Sequence, residues 1–337
     1  MFIKAQTYVK DEIRVDSGTP EMVLPQQHDI AKLNLVVTKP TLTGGTPVWN
    51  ADAGDKIIDT IQLQMGEDTL IDVPFEFLTK MNQVLKGVEP TDGDGIIDFQ
   101  LHPNMMNSLL PVRTYTQTRN LKLRFSSDAQ VLANATGSPT AVTAATGSVK
   151  LNVEYRKIIN GLPDRSIDKD ALTGGTGPDG KVTPLQNMLR TWLIWKKKYF
   201  ATAAEQANEA DLNIAEPGTN KMLRRLWIFA SSVISATNVR MLSESAITNL
   251  KIKASDVQIF DQSWTQIKEA NKQAFGVALP TGVICIDFCN QPINVDVPNL
   301  AAALPLGDHT DIRLIPTTAG TPYFEFVKEI VQPIRYV

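Results

Sequence analysis

One stretch of this chain is written twice. Shifted by 189 positions, residues 60–103 lie over residues 249–292 without a gap, and nine of the 44 paired positions are identical. Ile61, Leu63 and Leu70 fall on Leu250, Ile252 and Ile259. Asp72 falls on Asp261, Phe75 on Trp264, Leu78 on Ile267 and Asn82 on Asn271. Gly87 and Val88 fall on Gly276 and Val277, then Ile97, Asp98 and Phe99 on Ile286, Asp287 and Phe288, and Pro103 on Pro292. Apolar and turn positions coincide together, so whatever one half folds into, the other half is expected to fold into as well.

The repeated unit has a physical reading. Ile61, Leu63 and Met65 alternate with Gln62 and Gln64, and Leu250, Ile252 and Ala254 with Lys251 and Lys253, the period of a half-buried strand. Phe75, Leu78, Met81 and Leu85 then follow at helical spacing, as do Trp264, Ile267, Ala270 and Ala274. Asp72 and Asp261 are placed to cap or charge the helix starts, and Gly87 and Gly276 to end the helices in a left-handed conformation. A further strand follows in each copy, over 95–101 and 283–289. Alternating runs flank both copies: Leu33, Leu35 and Val37 before the first, Leu121, Leu123 and Phe125 and then Val149, Leu151 and Val153 after it. A run at 223–231 precedes the second, and Ile312 and Leu314, then Phe324 and Phe326, follow it.

Each half is therefore strand-rich, with short strands, one short helix and many Gly/Pro turns. Clean alternation gives each strand one buried and one wet face, which favours antiparallel sandwiches over a parallel α/β sheet. About eight strands per half fit a jelly roll. The expected fold class is all-β: two consecutive eight-stranded antiparallel jelly-roll β-sandwiches with short helices. Residues 1–29 are expected to form an N-terminal arm, 30–160 the first jelly roll, 161–215 a connector, and 216–337 the second. Within the connector, Leu185, Met188, Leu189, Trp192, Trp195 and Tyr199 predict a helix over 185–207, while the β-prone run Trp192, Leu193, Ile194 and Trp195 allows a strand to start there instead. Loops 41–55 and 129–146 are candidates for projecting or contact elements.

Composition narrows the function. Hydrophobic residues make up 43% and charged residues 20%, with a net charge of −3, so the strongly basic footprint of a nucleic-acid binder is missing. The basic clusters at Lys196, Lys197 and Lys198 and at Arg224 and Arg225 read as solvated faces. Cys285 and Cys289 lie four residues apart on an apparent strand, about 13 Å, too far to bridge, which points to a reducing compartment. The opening MFIKAQTYVKDE has no signal-peptide core, and no apolar run approaches a membrane span.

Candidate chemical motifs dissolve on inspection. The glycines and lysine of Gly175, Gly177, Gly180 and Lys181 mimic the start of a phosphate-binding loop, but Val182 replaces the hydroxyl and no buried strand precedes it. Asp92 and Asp94 lack the spacing and closing Glu of a calcium loop and read as a tight turn. His28, His102 and His309 are scattered, without metal-ligand spacing. Asp98 and Asp287 recur beside a Phe, and a repeated structural role, such as bonding a turn backbone, suits them better than acid–base work. Trp227, Trp264 and Phe288 read as core. No catalytic, cofactor-binding or metal-ligating residue is expected.

Two strand-rich halves, carrying DTIQLQMGEDTLIDVPFEFLTKMNQVLKG and TNLKIKASDVQIFDQSWTQIKEANKQAFG, resemble the double jelly-roll major capsid proteins of tailless icosahedral, membrane-containing viruses of the corticovirus and tectivirus kind, many of them bacteriophages. The resemblance spans about 30–160 and 220–335. It implies a structural protein and no enzyme: a homotrimer with a near-hexagonal outline that tiles a capsid over an internal membrane. It would be made in the host cytoplasm and located in the virion. The implied partners are itself, neighbouring capsomers, and minor capsid, vertex or internal-membrane components, with no specific nucleic acid and no cofactor. Two rival readings are a double-jelly-roll glycan-processing enzyme of the peptide N-glycanase type, and a virion spike or carbohydrate-binding protein.

Overall fold

The computed structural model describes residues 2–13, 17–25, 29–39, 41–42, 47–49, 53–66, 68–86, 94–99, 119–134, 142–143, 147–158, 173–176, 182–184, 188–199, 213–234, 240–244, 247–289, 303–308, 311–318 and 323–333. The chain divides into two compact units. The first comprises Met1–Asn82, Pro90–Arg190 and Pro333–Val337, the second Gln83–Glu89 and Thr191–Gln332.

The first half supplies eight principal strands: β1 (Phe2–Ile13), β2 (Glu21–Val23), β3 (Asp29–Thr38), β4 (Ile58–Met65), β5 (Asp68–Pro74), β6 (Asp94–Asp98), β7 (Arg119–Phe125) and β8 (Ser148–Ile158). Helix α1 (Phe75–Lys86) leaves β5 directly. The strands pair antiparallel in the orders β1-β8-β3-β6 and β2-β7-β4-β5. The first strand thus closes on the last and the second on the seventh, which is the jelly-roll winding. Alternation does what the sequence promised. Leu33, Leu35, Ile61, Leu63, Leu121, Leu123, Val149 and Leu151 are buried, while Asn34, Gln62, Lys122 and Asn152 between them are not. Each buried aliphatic side chain stabilises the sandwich by about 1.5–3 kcal/mol.

The second half repeats the plan with β9 (Met188–Tyr199), β10 (Met222–Ile234), β11 (Ile247–Ala254), β12 (Val257–Ser263), α2 (Trp264–Phe275), β13 (Val283–Asp287), β14 (Ile312–Thr318) and β15 (Tyr323–Pro333). The orders among the described residues are β9-β15-β10-β13 and β12-β11-β14, with Asn213 bridging Arg313 of β14. Leu226, Ile228, Ile252, Leu314 and Phe326 fill the sandwich, with Trp264 and Ile267 of α2 packed into it.

The 189-residue offset holds at every boundary of β4, β5, α1 and β6 against β11, β12, α2 and β13. It holds in the ladders too. Leu63 pairs Ile71 and Gln64 pairs Thr69, so Leu70 is the extra residue of a β-bulge. Ile252 pairs Phe260 and Lys253 pairs Gln258, which leaves Ile259 in the same place. The double jelly roll read from the sequence is the fold.

Several local expectations fail. Phe2–Ile13 is no arm: it pairs with β8 along its length. Met188–Tyr199 is not the helix but the strand that its β-prone Trp192–Trp195 run allowed, and it lies beside β15. Both are first strands of their sandwiches, and both close on partners more than 120 residues away, a pairing that local periodicity cannot reveal. Asp261 does not cap α2. Ser263 does, accepting from the Gln266 amide while the Gln266 side chain accepts from the Ser263 amide. Asp261 sits two residues earlier, bonded to Asn249 and Lys251. Gly276 ends α2 at φ 71°, as its glycine predicts, while Gly87 lies outside the described residues. Loops 41–55 and 129–146 are joined to each other, Thr41–Leu42 pairing Val142–Thr143 and Pro47–Trp49 pairing Leu132–Asn134. The glycine-rich 173–184 stretch contains an antiparallel pair, Thr173–Thr176 with Val182–Pro184, and not the strand-to-helix junction of a phosphate loop.

Candidate functional site

Each unit carries a row of three charges across the middle of one sheet, and the two rows are equivalent. In the first, Lys32 on β3 stands opposite Asp98 of β6 on one side and Glu154 of β8 on the other. In the second, Arg225 on β10 stands opposite Asp287 of β13 and Glu329 of β15. Cross-strand neighbours on one face lie about 5 Å apart, close enough for each base to meet both acids.

In the first row Lys32 and Asp98 are partly exposed and 2.8 Å apart, while Glu154 is buried. The second is buried. Arg225 Nε donates to Asp287 Oδ2 at 2.8 Å, its Nη1 lies 3.6 Å from Glu329, and Arg224 reaches the other oxygen of Glu329 at 3.5 Å. Trp227 Nε1 also donates to Glu329, at 3.4 Å. The Arg225 guanidinium lies 5.7 Å from the centre of the Phe275 ring, which stacks on Trp227 at 6.2 Å. Burial alone would favour the neutral form of Arg225, but Glu329 and Asp287 outweigh it and hold the guanidinium charged. The reading of Arg224 and Arg225 as a solvated basic face is thereby corrected: both are buried, because β13 and β15 bring two carboxylates to them.

The two cysteines flank this row as free thiols, Cys285 on β13 and Cys289 in the turn that follows. Burial pushes the Cys285 thiol well up and that of Cys289 to about 11. Both are protonated at neutral pH, and a protonated thiol is a weak nucleophile. Asp287, meanwhile, accepts from the Cys289 amide at 2.9 Å through its second oxygen. The recurring aspartates therefore have a repeated structural role: each anchors its strand to a base, and Asp287 also ties the turn backbone. What the row does chemically is brace three strands against sliding.

The helices brace the same strands from outside. Asn271 of α2 donates to the Cys285 carbonyl at 2.6 Å and accepts from the Cys285 amide at 2.9 Å. Asn82 of α1 donates to the Ile96 carbonyl at 2.7 Å. A carboxamide thus supplies the bonds of a missing neighbour strand at the sheet edge.

Of the other sequence candidates, Trp227 and Trp264 are buried as core and Phe288 is half-buried. Asp94 begins β6, whereas Asp92, His28, His102 and His309 lie outside the described residues. Among the described residues, no group of three or more His, Cys, Asp or Glu side chains could hold a metal ion.

No family model matches the chain, and no curated protein matches it in sequence. Solved structures do match along the whole chain. The major capsid protein of Sulfolobus turreted icosahedral virus superposes with a TM-score of 0.69 at 15% identity, covering 99% of this chain and 98% of its own. The major capsid protein P2 of bacteriophage PM2 gives 0.62 at 10% identity, with 99% and 98% covered. The capsid of the virus PBCV-1 gives 0.60 at 12%, with 98% and 95% covered. With two like sandwiches in one chain and the match running end to end, the chain has the double jelly-roll fold of these viral major capsid proteins.

Proposed function

We propose that this chain is a viral major capsid protein, three copies of which form a capsomer that tiles an icosahedral shell. The observation that carries the reading is the pair of jelly rolls with one register. Two like sandwiches per chain give three chains six like lobes, a near-hexagonal outline that packs a shell without gaps. Strands braced by charge rows and edge-capping carboxamides give the stiffness such a tile needs. The solved structures of this layout named above are themselves capsid proteins, which supports a virion location and self-association. Minor capsid proteins and an internal membrane are the further partners this reading assigns, and it assigns the chain no catalytic residue.

Sedimentation of the purified protein tests the reading. A species of three times the chain mass, which builds hexagonal arrays or shells seen by electron microscopy, is expected. A protein that stays monomeric at every concentration overturns it.

A further inference from the structure

Lys328 stands where the first sandwich has a valine. Leu33 of β3 pairs Val153 of β8, and its equivalent Leu226 of β10 pairs Lys328 of β15. Val153 is buried, and so is Lys328, on the strand face that carries Phe324, Phe326 and Ile330 into the core. An ammonium in such a place is less stable than a valine unless a carboxylate meets it. That carboxylate comes from residues 213–221, the segment that leads into β10.

The segment is a strap across β14, residues 304–307 and β15. Ile214 lies in the core and donates its amide to the Ile312 carbonyl. The Glu216 amide donates to the Leu306 carbonyl, and the Leu306 amide to that of Lys221. Among the described residues its one ladder contact is the Asn213–Arg313 bridge, whereas β2 pairs with β7 over three residues. The Glu216 side chain therefore carries much of the fastening, accepting from Lys221 of the strap at 2.8 Å and from Lys328 of β15. The other charges on these elements are engaged elsewhere or exposed: Arg313 pairs with Asp311, Glu329 faces Arg224 and Arg225, and Asp308 is exposed.

We propose that residues 213–221 are an acid-released latch: when Glu216 takes up a proton, the Lys328 ammonium loses its carboxylate on the core face, and the strap lifts to let water reach it. Burial works against the charge of Glu216, but Lys221 and Lys328 prevail and hold it below its ordinary 4.5. The closed latch is therefore favoured above that value and loosens as the pH falls below it. Opening uncovers Ile214 and Leu306, both buried while the strap is down. The latch belongs to the single chain, so it stands or falls separately from the capsomer reading.

Hydrogen exchange on the full chain, corrected for the intrinsic rate, tests this at the amides of Ile214, Glu216 and Leu306. Between about pH 5.5 and about pH 3.5 the wild type should lose protection there by about tenfold or more, while β11 keeps its own. Glu216→Gln should show the low protection at both pH values. Lys328→Val, with the residue type that the first sandwich carries, should keep the high protection at both, because no ammonium is left to be freed. Lys328→Met serves if the shorter side chain leaves a cavity that unfolds the chain. Protection that stays constant in the wild type, that falls only together with that of β11, or that falls as far in the Lys328 variant overturns the latch.

Discussion

Asn82 and Asn271 stand 189 residues apart and hold equivalent strands, Asn82 through the Ile96 carbonyl and Asn271 through both backbone groups of Cys285. Removing either leaves buried backbone groups without a partner, at a cost of about 1–3 kcal/mol per group. Asn271→Ala should thus destabilise by about 2–4 kcal/mol and Asn82→Ala by about 1–2 kcal/mol. Urea unfolding would check the order. Equal losses would show that the second bond to Cys285 contributes nothing.

The charge rows should differ more sharply. Lys32 and Asp98 are each about a quarter exposed, so water screens that pair, while the buried Glu154 opposite Lys32 adds to the loss, and Lys32→Met should cost about 1–2 kcal/mol. Arg225 is buried between Asp287 and Glu329. Arg225→Met leaves Asp287 without its guanidinium partner and Glu329 with Arg224 as the cation beside it, and should cost about 3–5 kcal/mol. Denaturant midpoints of the two variants, measured side by side, decide whether equivalent positions carry unequal loads.

Much of this was legible in the sequence, for definite reasons. Ile61, Leu63 and Met65 announce a strand because a half-buried sheet demands a period of two, and Gly276 announces a helix end because few other residues accept its left-handed backbone. The repeat carried the topology of the middle strands. The first strands are the hard ones to read: Phe2–Ile13 reads as an arm and Met188–Tyr199 as a helix or a strand, because both owe their state to partners at the far end of each sandwich. The buried row was half missed for the same reason. Asp98 and Asp287 stood out by recurrence, but nothing local to Arg224 and Arg225 says that Glu329 arrives beside them.

Gly282 and Gly218 separate two costs of a side chain. Both have positive φ, 68° and 77°. A Cβ on Gly218 meets nothing within 4 Å, so Gly218→Ala bears only the backbone strain, about 1 kcal/mol. A Cβ on Gly282 would sit 2.6 Å from the Ala230 carbonyl and the Ser243 amide, backbone atoms that cannot swing away. Gly282→Ala should therefore cost about 2–4 kcal/mol, read as a lower melting temperature than that of Gly218→Ala.

Glu216 gives the second unit an acid-sensitive clasp. Its carboxylate accepts from Lys221 at 2.8 Å and from Lys328 of β15. Burial works against the charged form, but the two ammonium groups prevail and hold Glu216 below its ordinary 4.5. Burial also draws Lys328 down, with the Glu216 bond opposing it. A carboxylate lowered in the folded state stabilises above its unfolded value, and that contribution is lost as the pH falls through the folded one. The wild type should thus lose stability below about pH 4.5 more steeply than Glu216→Gln, with the two curves parallel from pH 5 to pH 8. Melting temperatures across that range test the sign. Curves parallel down to pH 3 would mean that the clasp does not sense acid.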